Sequence, residues 1–156
     1  MKILVDADSC PAQARALILR SSAKRNIQAI FAANRLIPGI ALADGDSSPL
    51  AVMELCPPGE GSADNRIVEL AAAGDLAVTR DVPLAERLVE KGISVLDDRG
   101  RIYTAENIRE LRSLRDFMVD LARSGLGMER SPAYGKRELK AFADSFDKEL
   151  TRLNKA

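Results

Sequence analysis

Apolar positions along the chain fall into short blocks separated by amphipathic stretches, as expected for buried strands alternating with helices. Lys2-Ile3-Leu4-Val5-Asp6 reads as a buried strand. Pro11 then stands where a first helical residue belongs, with Ser9 or Cys10 as N-cap and Ala12, Ala16, Leu19 and Ala23 as the apolar stripe. Residues 27–32 form a second strand. The stretch 36–49, dense in Pro, Gly, Asp and Ser and holding Asp44 and Asp46, reads as a loop. Residues 50–55 make a third strand, stopped by Cys56-Pro57-Pro58-Gly59.

A helix over 62–73 ends at Gly74, a fourth strand covers 76–79, and a helix over 83–91 ends at Gly92. A fifth strand over 93–96 precedes the polar turn Asp97-Asp98-Arg99-Gly100-Arg101. Thr104 is expected to cap a helix whose apolar face is Ile108, Leu111, Leu114, Met118 and Leu121. A Gly/Pro-rich connector over 124–135 leads to a last helix lined by Leu139, Phe142, Phe146, Leu150 and Leu153. This alternation predicts an α/β protein, a three-layer α/β/α arrangement around a mainly parallel sheet of about five strands. The 156 residues suit one domain, 1–156, with 104–156 as its C-terminal helical part.

The chain contains no histidine, which removes imidazole general bases, Ser-His-Asp and Cys-His catalysis and HExxH zinc chemistry. Two cysteines, Cys10 and Cys56, make neither a thiolate zinc cage nor a disulfide framework. No apolar run nears the roughly 20 residues that cross a bilayer. The opening apolar run is too short and too soon acidic for a signal peptide, so the expected location is cytoplasmic. Net charge is +0, yet residues 1–98 carry 10 Lys/Arg against 14 Asp/Glu and residues 99–156 carry 13 against 9.

Candidate chemistry is left to carboxylates, Lys/Arg, hydroxyls, one or two thiols or a hard metal ion, and the acidic residues stand out by position. Ligands of open parallel sheets bind outside the carboxyl ends of the strands. Asp6 and Asp8 follow the first strand, Asp64 opens the helix before the fourth, and Asp81 lies just past the fourth. If those strands are neighbours, the acids converge, and their mutual repulsion is relieved by a proton or a cation. An oxygen-only donor set suits Mg²⁺ or Mn²⁺, which can activate water and neutralise charge on a phosphodiester. Helix capping accounts equally well for Asp64 and Asp81, and serves for Asp8. Asp6 is harder to explain that way, because an acid ending a buried strand is costly unless paired or coordinating. Asp75, Asp97 and Asp98 read as surface turn residues.

Val5-Asp6-Ala7-Asp8-Ser9-Cys10-Pro11, Ala33-Asn34, Ala63-Asp64-Asn65-Arg66-Ile67-Val68 and the run from Gly74 to Ala85 occur in order, followed by Arg99-Gly100, Tyr103-Thr104 and Arg115-Asp116-Phe117-Met118. Together they resemble the YaiI/YqxD family of uncharacterised bacterial proteins. That family is similar to the wider PIN-like and NYN-type nucleases. There a first Asp ends strand one, a later acid precedes a helix, and a T-x-D-x-x-L segment follows the fourth strand. Asp6, Asp64 and Thr79-Arg80-Asp81-Val82-Pro83-Leu84 match these features. The resemblance implies a metal-dependent ribonuclease, or an inactive descendant. In it Asp6, Asp64 and Asp81 hold Mg²⁺ or Mn²⁺, and Asp8 ligates the ion or orients water. Ser9, Asn34, Thr79 and Arg80 are the substrate-side candidates, RNA is the expected partner, and a homodimer is compatible with the sequence. The mid-chain acid of many PIN domains has no clear equivalent among Asp44, Asp46 and Glu54.

Two rival readings stand beside it. Asp6-Ala7-Asp8-Ser9 also resembles the start of haloacid-dehalogenase-type phosphatases, with Asp6 as nucleophile, Asp8 as general acid, and Lys91 with Asp97-Asp98 as distant partners. A non-catalytic RNA-binding protein would instead use Arg80, Arg99, Arg101, Lys136 and Arg137, with Tyr103 and Tyr134 as stacking platforms in loops. Cys10 at a helix start reads as a half-buried cap residue rather than a nucleophile.

Overall fold

A computed structural model describes residues 1–42, 49–126 and 133–155. Asp44, Asp46 and the centre of the 124–135 connector lie outside the described residues. The elements are β1 (Lys2–Asp6), α1 (Ala12–Arg25), β2 (Gln28–Ala33), β3 (Ala41–Leu42), β4 (Ala51–Leu55) and α2 (Ser62–Leu70). They continue as β5 (Leu76–Val78), α3 (Val82–Glu90), β6 (Ser94–Leu96), β7 (Ile102–Tyr103), α4 (Ile108–Arg123) and α5 (Lys136–Asn154).

The strands form one sheet in the order β3-β4-β2-β1-β5-β6-β7, parallel except for the β6–β7 pair. Among the described residues it has seven strands, not about five. The two extra strands are two-residue edge pieces, too short to give an alternating signal. Alternate side chains of the central strands enter two cores. Ile3, Val5, Phe31 and Val78 meet Ala14 and Ile18 of α1 and Phe142, Phe146 and Leu150 of α5. Leu4, Ile30, Ala77 and Val95 meet Ile67 of α2, Leu84 and Leu88 of α3 and Ile108 of α4. Helices thus cover both faces of the sheet. Among the described residues no helix is long and apolar enough to cross a membrane.

Several local expectations shift. α1 fully buries Ala14, Ile18 and Ser22, and of the expected stripe Ala12, Ala16, Leu19 and Ala23 it is Leu19 that packs, half-buried, against the core. Its N-cap is Pro11, without a side-chain cap, because Ser9 turns back to Asp6. Of the α4 face only Ile108 is buried, while Leu114 and Met118 are exposed. Thr104 stands outside that helix and exchanges hydrogen bonds with the N-cap residue Asn107.

Asp75, Asp97 and Asp98 are buried, not surface turn residues. Asp75 accepts from the backbone N–H groups of Lys2 and Ala72 at 2.9 Å each and pairs with the Lys2 ammonium, tying the start of β1 to the turn before β5. Tyr103 lies in β7 and is buried, so it offers no stacking platform.

An acid-lined cleft at the switch point of the sheet

β1 lies between β2 and β5. The helix following β1 packs on one face of the sheet and the helix following β5 on the other. The chain therefore leaves the two neighbouring strands in opposite directions, which opens a crevice beyond their carboxyl ends. A cleft of about 400 Å³ occupies that position, with Asp6, Asp8, Asn34, Glu60, Asp64 and Asp81 in its wall together with Ser9 and the glycines flanking Glu60. All four predicted acids meet here.

Register places Asp6. Val5 is opposite Val78 in the parallel β1–β5 pair, so the next residues, Asp6 and Thr79, come together at the strand ends. The Asp6 carboxylate accepts from Thr79 Oγ1 at 2.9 Å and from Ser9 Oγ at 3.0 Å, both through Oδ2. Thr79 Oγ1 itself accepts from the Asp81 N–H at 3.0 Å, which directs the hydroxyl proton to Asp6. Burial raises the Asp6 carboxyl above its ordinary range. The two hydroxyls pull it down, while the Asp81 and Asp8 charges push it further up. Thr79 and Ser9 are thus supports of Asp6, and Thr79 is itself buried.

The other acids differ in how they are held. Asp81 is the N-cap of α3, its Oδ1 accepting from Leu84 N–H at 3.2 Å, so its capping and its place in the cleft coexist. Asp8 does not cap α1. It accepts from the Asn34 N–H at 3.3 Å and lies 3.6 Å from the Arg35 guanidinium. Asp64 does not cap α2 either, since Gly61, in the left-handed region at φ 80°, begins that helix.

Asp64 accepts no hydrogen bond and forms no ion pair among the described residues. Burial lifts it from 3.8 to about 6, with the Asp81 and Asp6 charges adding and Arg87 opposing. Asn34 clamps the loop that carries Glu60. Its Nδ2 donates to the Pro57 and Gly59 carbonyls at 3.2 and 3.0 Å and to Ser62 Oγ at 3.1 Å. Glu60 escaped the sequence reading, although an acid between two glycines just before an Asp-bearing helix was a usable signal.

Arg80 points away from this cleft. It pairs with buried Asp98 and lines a neighbouring cleft with Asp97, Arg99, Gly100 and Arg101. Lys91 donates to the Val68 carbonyl at 2.6 Å, and Asp97 and Asp98 also lie outside the acidic cleft. Lys91, Asp97 and Asp98, the distant partners considered for a phosphatase built on Asp6, therefore do not line its cleft. Burial pushes the Cys10 thiol up to about 12, which disfavours the thiolate a nucleophile needs.

An all-oxygen wall with two-sided support suits a hard divalent cation. Among the described residues no three His, Cys, Asp or Glu side chains are arranged as a ready cage. Mg²⁺ does not demand one, because it usually retains several waters and is held through one or two carboxylates. The folded chain keeps the Asp64 proton up to about pH 6, whereas the unfolded chain releases it near 3.8. The folded state therefore binds more protons within this window, and stability falls as pH rises through it. In EDTA, Asp64→Asn is expected to melt at a higher temperature than the parent at about pH 8, the gap closing toward about pH 4. A variant less stable than the parent at about pH 8 would show that an attraction holds this carboxylate.

These features define an α/β protein with an acid-lined cleft at its topological switch point. The chain belongs to the family described as "Uncharacterized BCR, YaiI/YqxD family", whose profile matches residues 4–152. It is 46% identical over 153 residues to a UPF0178 protein of Treponema pallidum (strain Nichols), covering 98% of this chain and 83% of the relative. A UPF0178 protein of Myxococcus xanthus (strain DK1622) is 41% identical over 155 residues, covering 99% and 97%. One of Pseudomonas putida (strain GB-1) is 35% identical over 156 residues, covering 100% of each. No solved structure matches the chain.

Proposed function

We propose that the acidic cleft hydrolyses an RNA phosphodiester with the help of Mg²⁺ or Mn²⁺, in a PIN-like arrangement. The observation that carries this reading is the convergence of Asp6, Asp8, Asp64 and Asp81 in one cleft at the switch point. Asp64 is left there without a protein partner among the described residues. Asp6 and Asp64 would hold the ion directly, and Asp81, whose Oδ2 takes no part in capping, would reach it through a retained water. The cation would supply charge neutralisation at the phosphate and a more acidic water. Ser9 and Thr79 fix the Asp6 carboxylate, and Asn34 holds the Glu60 loop against the cleft mouth. Asp8, half-exposed and tethered to the Asn34 N–H, would orient a water.

The test is incubation of the purified chain with a labelled single-stranded RNA and with p-nitrophenyl phosphate, each with Mn²⁺ and with EDTA. Mn²⁺-dependent cleavage of the RNA alone is expected. Turnover of the monoester alone would replace the proposal with phosphatase chemistry, and turnover of neither would overturn it.

A further inference from the structure

Arg80 and Asp81 are consecutive, with Cα atoms about 3.8 Å apart, yet they serve different clefts. The cleft beyond Arg80 has a volume of about 580 Å³ and is lined by Arg80, Asp97, Asp98, Arg99, Gly100 and Arg101. Its two carboxylates are answered from within the protein. Asp98 is paired with Arg80, and Asp97 Oδ1 accepts the Arg99 and Arg101 N–H groups at 2.9 and 2.8 Å. Arg99 Nη1 also lies 4.0 Å from a Glu138 carboxylate oxygen, so the outward guanidinium charge of the cleft comes chiefly from exposed Arg101 and the exposed edge of Arg80.

That charge is held on a rigid turn. Asp97 N–H donates to the Arg101 carbonyl at 2.9 Å, and Ser145 Oγ donates to the Gly100 carbonyl at 2.8 Å. The Arg99 guanidinium lies 5.9 Å from the centre of the Tyr134 ring, and that hydroxyl donates to the Asp98 carbonyl at 2.7 Å. Arg80 keeps a half-exposed guanidinium although Asp98 anchors one edge of it. Planar forks pre-set in this way match phosphate oxygens.

The acidic cleft alone repels a polyanion, and within a Debye length of about 8 Å that repulsion is only partly screened. A strand brought there needs a positive neighbour. We infer that Arg80, Arg99 and Arg101 form a phosphate-binding site for a single RNA strand, holding a phosphate beside the one presented to the acidic cleft. The strand crosses the ridge formed by residues 80–81. Placement of the second phosphate rests on the hydrolase reading; the arginine site does not.

The test is fluorescence polarisation of a labelled single-stranded RNA in EDTA across a KCl series, with parent, Arg101→Ala and Arg99→Ala proteins. Inorganic phosphate is titrated separately by calorimetry. Arg101 is exposed and joins the turn through its own backbone N–H and carbonyl, so its replacement leaves the turn in place. Each variant is expected to weaken RNA binding on the order of tenfold at low salt. Each lost phosphate contact lowers the slope of log Kd against log salt by about 0.7.

An unchanged affinity and slope in Arg101→Ala, or no RNA binding by the parent, would overturn the inference. Arginine-dependent binding of inorganic phosphate without binding of the strand would also overturn it and make this a site for a free anion. Because EDTA removes divalent cations, arginine-dependent binding stands even if the metal-dependent cleavage proposed for the acidic cleft is not observed.

Discussion

Asp6→Asn is expected to abolish Mn²⁺-dependent RNA cleavage, lowering its rate on the order of 10²-fold or more, while the fold survives. The size follows from the several kcal/mol of charge stabilisation that a metal ion contributes to a phosphoryl centre. Fold retention follows from geometry. Asn has the same shape, its Oδ1 can accept one of the two hydroxyl bonds now made by Ser9 and Thr79, and a buried charge is removed. Calorimetry and thermal melts check both halves. The parent should gain stability with Mn²⁺, about 2.7 kcal/mol at a hundredfold excess over Kd. The variant should melt at or above the temperature of the metal-free parent and gain nothing from Mn²⁺. Equal Mn²⁺ affinity in the two proteins would remove Asp6 from the site.

Gly100→Ala is expected to destabilise the protein by about 3 kcal/mol, combining the left-handed backbone cost with overpacking. Gly100 sits at φ 90°, and a Cβ there would lie 2.5 Å from the backbone oxygen of Ala141 and 3.0 Å from Ser145 Oγ. The obstacle is the main chain of α5, which cannot rotate aside as a side chain can. For a domain of this size, the melting temperature should drop by roughly 6–12 °C. The loss should reach the arginine cleft as well, because the turn that carries Arg99 and Arg101 hangs on the Gly100 carbonyl through Ser145. A melting temperature within a degree of the parent would show that α5 does not press on this turn.

The two variants separate the two halves of the functional reading. Asp6→Asn acts on charge within an intact frame. Gly100→Ala acts on the frame and leaves every acid of the cleft in the sequence.

Local pattern was enough for much of this protein. Short apolar runs of a few residues, separated by amphipathic stretches, place β1, β2, β4, β5 and β6 and the helices within a few residues of where they lie. The absence of histidine removes imidazole chemistry before any fold is known, leaving carboxylates, Lys/Arg, hydroxyls, the two thiols or a hard metal ion. The strand-end positions of Asp6 and Asp81 are equally legible, because a change from apolar run to acid is a one-dimensional signal.

Neighbourhood is not such a signal. That β1 lies beside β5, more than seventy residues away, is what joins Asp6 to Thr79 and opens the crevice, and the strand order carrying it is set by packing of the whole chain. For the same reason Asp75, Asp97 and Asp98 look like turn residues yet are buried, since their partners come from distant segments or from the backbone of their own turn. Arg80 and Asp81 carry the lesson furthest. Adjacent in sequence, they belong to different clefts because Asp81 caps α3 while Arg80 answers Asp98 across the end of the sheet.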